Sequence, residues 1–204
     1  MDEKVLRSLI KWPSVPECHG WLALDRRGLW RMRNEYAQSN HLAGEVIKHS
    51  GLIEFIGRNY AQNYDGRWFF QNGPQKVFID LDYTPFVAQI HPMEGGYFLK
   101  TTTGESITPS KCWIDEMGHI IFLASMNIQY SSNTEEPLFL KGCKDVHVLL
   151  HDHDLEIFSQ SAEIQNVCGD LGYWSWQGKK ISIEPIHSKD IKDLYLPLPC
   201  SRNS

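Results

Sequence analysis

The sequence predicts a β-rich α+β protein: antiparallel hairpins and meanders around one main helical region, with two repeated α+β units as a further expectation. Three observations carry this. From Asp65 almost to its end the chain consists of short β-prone runs separated by Gly, Pro, Asn, Asp or Ser. Asp25-Arg26-Arg27-Gly28 joins two such runs, Trp21–Leu24 and Leu29–Met32, as a tight hairpin in which Asp caps the turn and Gly takes the positive φ. Leu42, Val46, Leu52, Ile53 and Ile56 mark a helical face across Asn40–Tyr60.

The elements follow in order. Val5, Leu6, Leu9 and Ile10 form one stripe of a helix that Pro13 ends, and Trp12-Pro13-Ser14-Val15-Pro16 is a rigid extended segment. After the first hairpin, Ser39 or Asn40 caps the main helix, which Ser50-Gly51 breaks or kinks. Strands are expected over Arg67–Gln71, Lys76–Leu81, Phe86–Ile90, Tyr97–Thr101, Lys111–Ile114 and His119–Ser125. Further strands follow over Leu138–Lys141, Val146–Leu150, Leu155–Phe158, Gly172–Trp176 and Lys180–Ile183, and the tail from Leu196 is expected to be poorly ordered. Trp113…Asp115-x-x-Gly118-x-Ile120 echoes Trp21…Asp25-x-x-Gly28-x-Trp30, which predicts a duplication. Its boundary falls near His91–Gly96, giving an N-terminal unit of residues 1–92 and a β-rich unit of residues 93–204, packed as one body.

Composition excludes several classes of function. With 204 residues, 42% hydrophobic, and seven Trp, the core needs no metal or disulfide staple. A formal net charge of −5 argues against binding duplex nucleic acid. Five widely spread cysteines (Cys18, Cys112, Cys143, Cys168, Cys200) without a C-x-x-C match neither a disulfide framework nor a four-cysteine zinc site. The start, Met1-Asp2-Glu3-Lys4, has no signal-peptide core, and the longest apolar run, Ile120–Ala124, is far too short to span a bilayer. The expectation is a cytoplasmic protein with no membrane partner and no cofactor.

Trp12-Pro-Ser-Val-Pro16, Gly20-Trp-Leu-Ala-Leu-Asp-Arg-Arg-Gly-Leu-Trp-Arg31, Arg58-Asn-Tyr60 and Gly66-Arg-Trp-Phe-Phe-Gln-Asn-Gly-Pro-Gln75 resemble a proteobacterial family defined by a domain of unknown function. The resemblance runs over most of the chain and is densest in its first ninety residues. The order hairpin, helix, then Val77…Asp80…Thr84-Pro85-Phe86-Val87 is similar to a second, more distant bacterial family with a tandem-repeat α+β fold and a suggested role in signalling. Neither resemblance brings an activity, a ligand or a catalytic residue.

Four groups of residues are candidates for chemistry. His151 and His153, with His147 and Cys143 upstream, carry zinc-capable atoms. On a strand, however, His147 and His151 stand about 13 Å apart, so only His151 and His153 can share an ion. The competing reading, a polar hairpin turn at His151-Asp152-His153-Asp154, is the better one; a pH-sensing turn is a variant of it. Arg26, Arg27 and Arg67 can grip an anion bidentately, with Trp30 or Trp68 as a stacking surface, against the plainer reading of solvated arginines and core tryptophans. Gln71, Asn72 and Gln75 surround the Asn72-Gly73-Pro74 turn and can hold a small polar ligand or satisfy loop backbone. Trp174 and Trp176 point to one side of a strand, as a core edge or as an aromatic patch for a partner.

Catalytic motifs are missing: no G-x-S-x-G, G-x-x-x-x-G-K-[ST], G-x-G-x-x-G or H-E-x-x-H. Lys100-Thr-Thr-Thr-Gly104 has a phosphate loop's residue types in the wrong order, and Cys18 and His19 are neighbours that point apart on an extended segment. The sequence therefore points to a non-enzymatic binding or regulatory module for a small anionic ligand or a protein partner, through Arg26, Arg27, Arg67, Trp68 and Asn72. Two alternatives stand beside it: a divalent-metal enzyme using His151 and His153, and a structural subunit of a homo-oligomer.

Overall fold

Four hairpin turns in this chain are built the same way. In each, a small polar residue donates its backbone N–H four residues ahead and accepts from the N–H of a glycine three residues ahead: Asp25 with Gly28, Asn63 with Gly66, Thr101 with Gly104 and Asp115 with Gly118. All four glycines have φ between 73° and 93°, the left-handed region that closes this turn. The side chains of Asp25 and Asp115 repeat the same two contacts, each Oδ1 accepting from the N–H groups two and four residues on. The turn chemistry thus sets where strands end.

The computed structural model describes residues 1–132, 139–167 and 170–195. The helices are α1 (Glu3–Lys11), α2 (Glu35–Ser39), α3 (Ser50–Arg58), α4 (Leu155–Ser161) and α5 (Ser188–Asp193). The strands of the first half are β1 (Cys18–Leu24), β2 (Trp30–Met32), β3 (Glu45–Val46), β4 (Tyr60–Gln62), β5 (Trp68–Asn72) and β6 (Gln75–Leu81). A hairpin of β7 (Phe86–Met93) and β8 (Gly96–Thr101) follows. The rest are β9 (Ser106–Asp115), β10 (Ile120–Ser131), β11 (Phe139–Leu150), β12 (Ala162–Val167), β13 (Asp170–Trp176) and β14 (Lys179–Ile186). All belong to one mixed sheet, in which the pairings of β7 to β11 also close a five-strand ring through β9 and β10. The β-rich α+β class is as expected; the parallel joins between hairpins are additional.

Two stretches of the chain pair identically. β1–β2–β3 and β4–β5–β6 are antiparallel runs joined by a parallel β1–β6 pair, with α3 between β3 and β4. β9–β10–β11 and β12–β13–β14 are joined by a parallel β9–β14 pair, with α4 between β11 and β12. The registers set equivalent positions. Leu22 pairs with Met32 and Ile79, as Cys112 pairs with Phe122 and Ile183. Phe70 pairs with Tyr60 and Val77, as Trp174 pairs with Ala162 and Ile181. Asn72 and Trp176 are equivalent where their strands enter a two-residue turn. The main core lies on the helix-bearing face of both stretches, with Ile56 from α3 and Phe158 from α4 in it.

Several expected elements differ. Asn40–Tyr60 is not one helix: Asn34 caps α2, Asn40 ends it, and His49 caps α3 through an Nδ1 that accepts from Leu52 N. Between them His41 and Gly44 take positive φ, and Val46 pairs with Arg31, so sheet pairing overrides the helical spacing. Leu155–Phe158 is helical in α4, and Asp152–Asp154 is a 3₁₀ turn leading into it, not the tip of a hairpin. The strands expected on either side of Gly142 are one, because Gly142 pairs with Ile128 in unbroken register; Leu138 and the tail from Leu196 lie outside the described residues. Trp30, Trp68, Trp174 and Trp176 are core, whereas Trp12 and Trp21 are exposed.

A buried polar bridge ties the β6–β7 link to the β9–β10 turn. Tyr83 Oη donates to Asp115 Oδ2 at 2.7 Å, and His119 Nδ1 lies 2.7 Å from the same oxygen. Burial alone would raise the Asp115 carboxyl, but the hydrogen bonds from Tyr83 and His119 outweigh it and hold it below the usual carboxylate range. Its stabilising contribution is therefore complete above the ordinary carboxylate pKa and is lost as pH falls through the depressed folded-state value.

These contacts set three expected outcomes. Ala at Gly118, where a Cβ meets nothing within 4 Å, should cost about 1 kcal/mol of backbone strain. Ala at Gly28, where the Cβ would stand 2.3 Å from Thr102 Cγ2, should cost about 3 kcal/mol by urea unfolding. Asp115→Asn should lose about 2 kcal/mol at neutral pH, and its urea midpoint should fall less than that of the wild type below about pH 4.

Candidate functional site

The arginines singled out in the sequence do not converge. Arg26 Nε lies 3.2 Å from Asp82 Oδ2, and its guanidinium stands 5.5 Å from the centre of the Tyr83 ring. Arg27 is exposed at the turn. Arg67 donates from Nε to Asp65 Oδ2 at 2.7 Å and lies over Phe78, on the face that carries Phe69 rather than Trp68. Trp68 is 2% exposed, inside the aromatic cluster of Tyr60 and Phe86, so it offers no outer stacking surface.

Beside the first turn is a charged cleft of roughly 390 Å³, walled by Asp25, Arg31, Arg33, Asp80 and Asp82. Its ionic groups already answer one another. Arg31 Nε donates to Asp25 Oδ2 at 2.7 Å, and Arg33 donates to Asp80. Burial raises the Asp80 carboxyl even though Arg33 and His19 lower it. An anion entering here meets carboxylates beside each of these guanidiniums, a poor arrangement for anion capture.

The histidines are engaged too. His151 is buried, and its Nδ1 accepts from His153 N at 3.2 Å, so that nitrogen is already engaged. The His153 ring packs edge-on against it, 4.6 Å between centres, while Asp154 Oδ2 accepts from Ile90 N. The segment is a cap joining α4 to β7. His147 is held between Trp113 and the Tyr195 hydroxyl, and burial lowers its pKa. Among the described residues no three His, Cys, Asp or Glu side chains gather as a metal would require.

A groove of roughly 490 Å³ lies between α3 and the sheet. Its floor comes from Leu22, Phe70 and Val77, and its helix wall from Leu52 and Ile56; Met32 and Trp21 line it as well, both partly open to solvent. Three polar side chains stand among these: Cys18, Asn72 and Gln75. The volume and the apolar walls with few polar groups match what small-molecule sites have in common. Three features of the groove have local causes. Gly20 takes φ 78° at the irregularity in β1, between the pairing of Cys18 with Val77 and that of Leu22 with Ile79. Ile56 faces inward from an α3 that His49 caps. Asn72 and Gln75 face each other across the Gly73-Pro74 turn. Burial pushes the Cys18 thiol up, so no groove side chain exchanges a proton readily near neutral pH.

Of the residues the sequence singled out, Asn72 and Gln75 line this groove; Arg26, Arg27, Arg67, Trp68, His151 and His153 do not. Met32, Ile56 and Phe70 gave no signal as binding residues, because each is an ordinary apolar residue of its own element. Only the pairing of distant strands brings them together.

No curated protein matches the chain. A solved structure of a DUF1285 family protein from Silicibacter pomeroyi DSS-3 is similar over 88% of this chain and 87% of that one, with 17% sequence identity and a TM-score of 0.45. The family model described as "Protein of unknown function (DUF2946)" matches residues 1–196, and the chain belongs to that family.

Proposed function

We propose that this chain is a non-catalytic binding module of the cytoplasm, with a regulatory role, whose site is the groove between α3 and the sheet and whose ligand is a small, mostly apolar molecule. The observation that carries the reading is the groove itself: roughly 490 Å³ of apolar wall with a few amide and thiol groups. The absence of a readily titrating side chain among its wall residues favours binding over acid–base chemistry. The anion-binding arginines drop out of this reading, because Arg26 and Arg67 each already sit against a carboxylate. Among the described residues no helix is long and apolar enough to cross a membrane, and Cys18, Cys112 and Cys143 are free thiols, as suits a reducing compartment. Two α+β units, one within residues 1–92 and one within 93–204, share the scaffold in this proposal.

The neutral, polarity-sensitive dye Nile red tests it. The wild-type protein should bind the dye saturably at one site, with a rise in fluorescence. Met32→Glu, which puts a carboxylate at a partly exposed wall position, should weaken binding about tenfold or more. Arg26→Glu with Arg27→Glu should leave it unchanged. Dye binding that ignores Met32→Glu, or that follows the arginines, overturns the proposal.

A further inference from the structure

Gln71, Asn72 and Gln75 cluster in the sequence, but strand alternation turns Gln71 away from the groove, to the opposite face of β5. There it pairs in register with Lys76 of β6, next to the paired Phe69 and Phe78. Between this face and the segment that links α1 to β1 lies a pocket of roughly 240 Å³, which shares no lining residue with the groove. Leu9, Pro13, Val15 and Phe139 give it apolar walls, and Glu17, Gln71 and Lys76 bring polar groups to it. Some of these groups are fixed by the fold itself. Asn63 Oδ1 accepts from Lys76 Nζ at 3.1 Å and from Ser131 Oγ at 3.0 Å, which holds the ammonium in place. Gln71 is 1% exposed, and its Nε2 donates to the Gly73 carbonyl at 3.0 Å. Its Oε1 has no hydrogen-bond partner among the described residues. A buried acceptor without a donor is costly, so a hydroxyl or N–H brought by a bound molecule is favoured there.

We propose that this pocket is a second binding site, independent of the groove, for a neutral polyhydroxylated molecule of monosaccharide size. The charges select a neutral ligand. Glu17 Oε1 and Lys76 Nζ stand 3.6 Å apart at the pocket, so an anion meets the carboxylate and a cation meets the ammonium. The side chains of this ion pair are 47% and 24% exposed, so a molecule from solvent reaches both. The hydrogen-bonding groups select hydroxyls. Gln71 Oε1 and the Glu17 carboxylate only accept, and Lys76 Nζ only donates. A hydroxyl does both, so a polyol answers all three with one kind of group. The apolar walls suit the C–H surface of a saturated ring, and the volume lies below the range typical of drug-sized ligands.

Calorimetric titration with myo-inositol and with D-glucose tests this, with cyclohexanol, methylammonium chloride and sodium acetate as controls. At least one of the two polyols should bind one to one with a dissociation constant of about 1 mM or below, and no control should saturate at about tenfold higher concentration. Glu17→Ala removes an acceptor at a half-exposed position and should weaken polyol binding about tenfold. Gln71→Met keeps the side chain's length, deletes the unpartnered oxygen and should weaken binding at least as much. It also takes the donor from the Gly73 carbonyl, so its urea midpoint is measured alongside, and Glu17→Ala decides the matter where that midpoint falls. Met32→Glu, in the groove, should leave polyol binding unchanged. No saturable binding by either polyol overturns the proposal, as does binding that ignores both Glu17→Ala and Gln71→Met or that follows Met32→Glu. Saturation by methylammonium, acetate or cyclohexanol in the concentration range of the polyols overturns it too.

Discussion

Each stretch of this molecule is tied together by a parallel pair between its first strand and its last, β1 with β6 and β9 with β14. Hairpins form locally from turn chemistry, but parallel strands can pair only after a long crossover, here one that carries a helix. That crossover lays α3 and α4 on the same face of their strands, and it brings residues 57 and 71 positions apart into register. Leu22 beside Ile79 and Cys112 beside Ile183 are the outcome. Without these pairs the hairpins would have no shared face and the helices nothing to cover.

The same constraint then serves two ends. In the second stretch large rings meet in a buried stack, with Trp174 fully buried and Trp176 nearly so. Aromatic side chains bury more apolar area than any others, so this stack is a main source of cohesion. In the first stretch the strand pairing is unchanged, and stability comes instead from the cluster of Trp30, Tyr60, Trp68 and Phe86 deeper in the core. The concave face above it is left to Met32, Ile56 and Asn72. Because the groove opens to solvent, it carries none of the penalty of a sealed void.

Much of the architecture could be read from residues alone, and the failures have physical causes. Asp25-x-x-Gly28 predicted its hairpin because the turn's chemistry is local. The echo at Asp115-x-x-Gly118 falls where strand register puts it, three residues past Cys112 as Asp25 is past Leu22, yet Asn63-x-x-Gly66 and Thr101-x-x-Gly104 make the same turn elsewhere, so the motif by itself reports hairpins in general. The internal correspondence lies in strand register, where Trp174 answers Phe70 and not Trp68, despite the likeness of Gly66-Arg-Trp68 to Gly172-Tyr-Trp174. Residues 40–60 misled because Val46 answers a sheet partner rather than a helix face. Asn72 and Gln75 were legible as candidates because amides at a turn are conspicuous. The remainder of the groove was not, since Cys18, Met32, Ile56 and Phe70 become neighbours only through long-range pairing.

The central claim is that a small, mostly apolar ligand occupies the groove between α3 and the sheet, beside Met32. Proton NMR on protein carrying ¹³C-methyl methionine tests it most directly, since the five methionines sample different surroundings. With Nile red added, cross-relaxation from its ring protons should reach the Met32 methyl, while the exposed Met93 and Met117 report on non-specific contact. Strong transfer to Met32 that is absent from Met93 and Met117 is the predicted result. Transfer to Met93 or Met117 with none to Met32 would contradict the account.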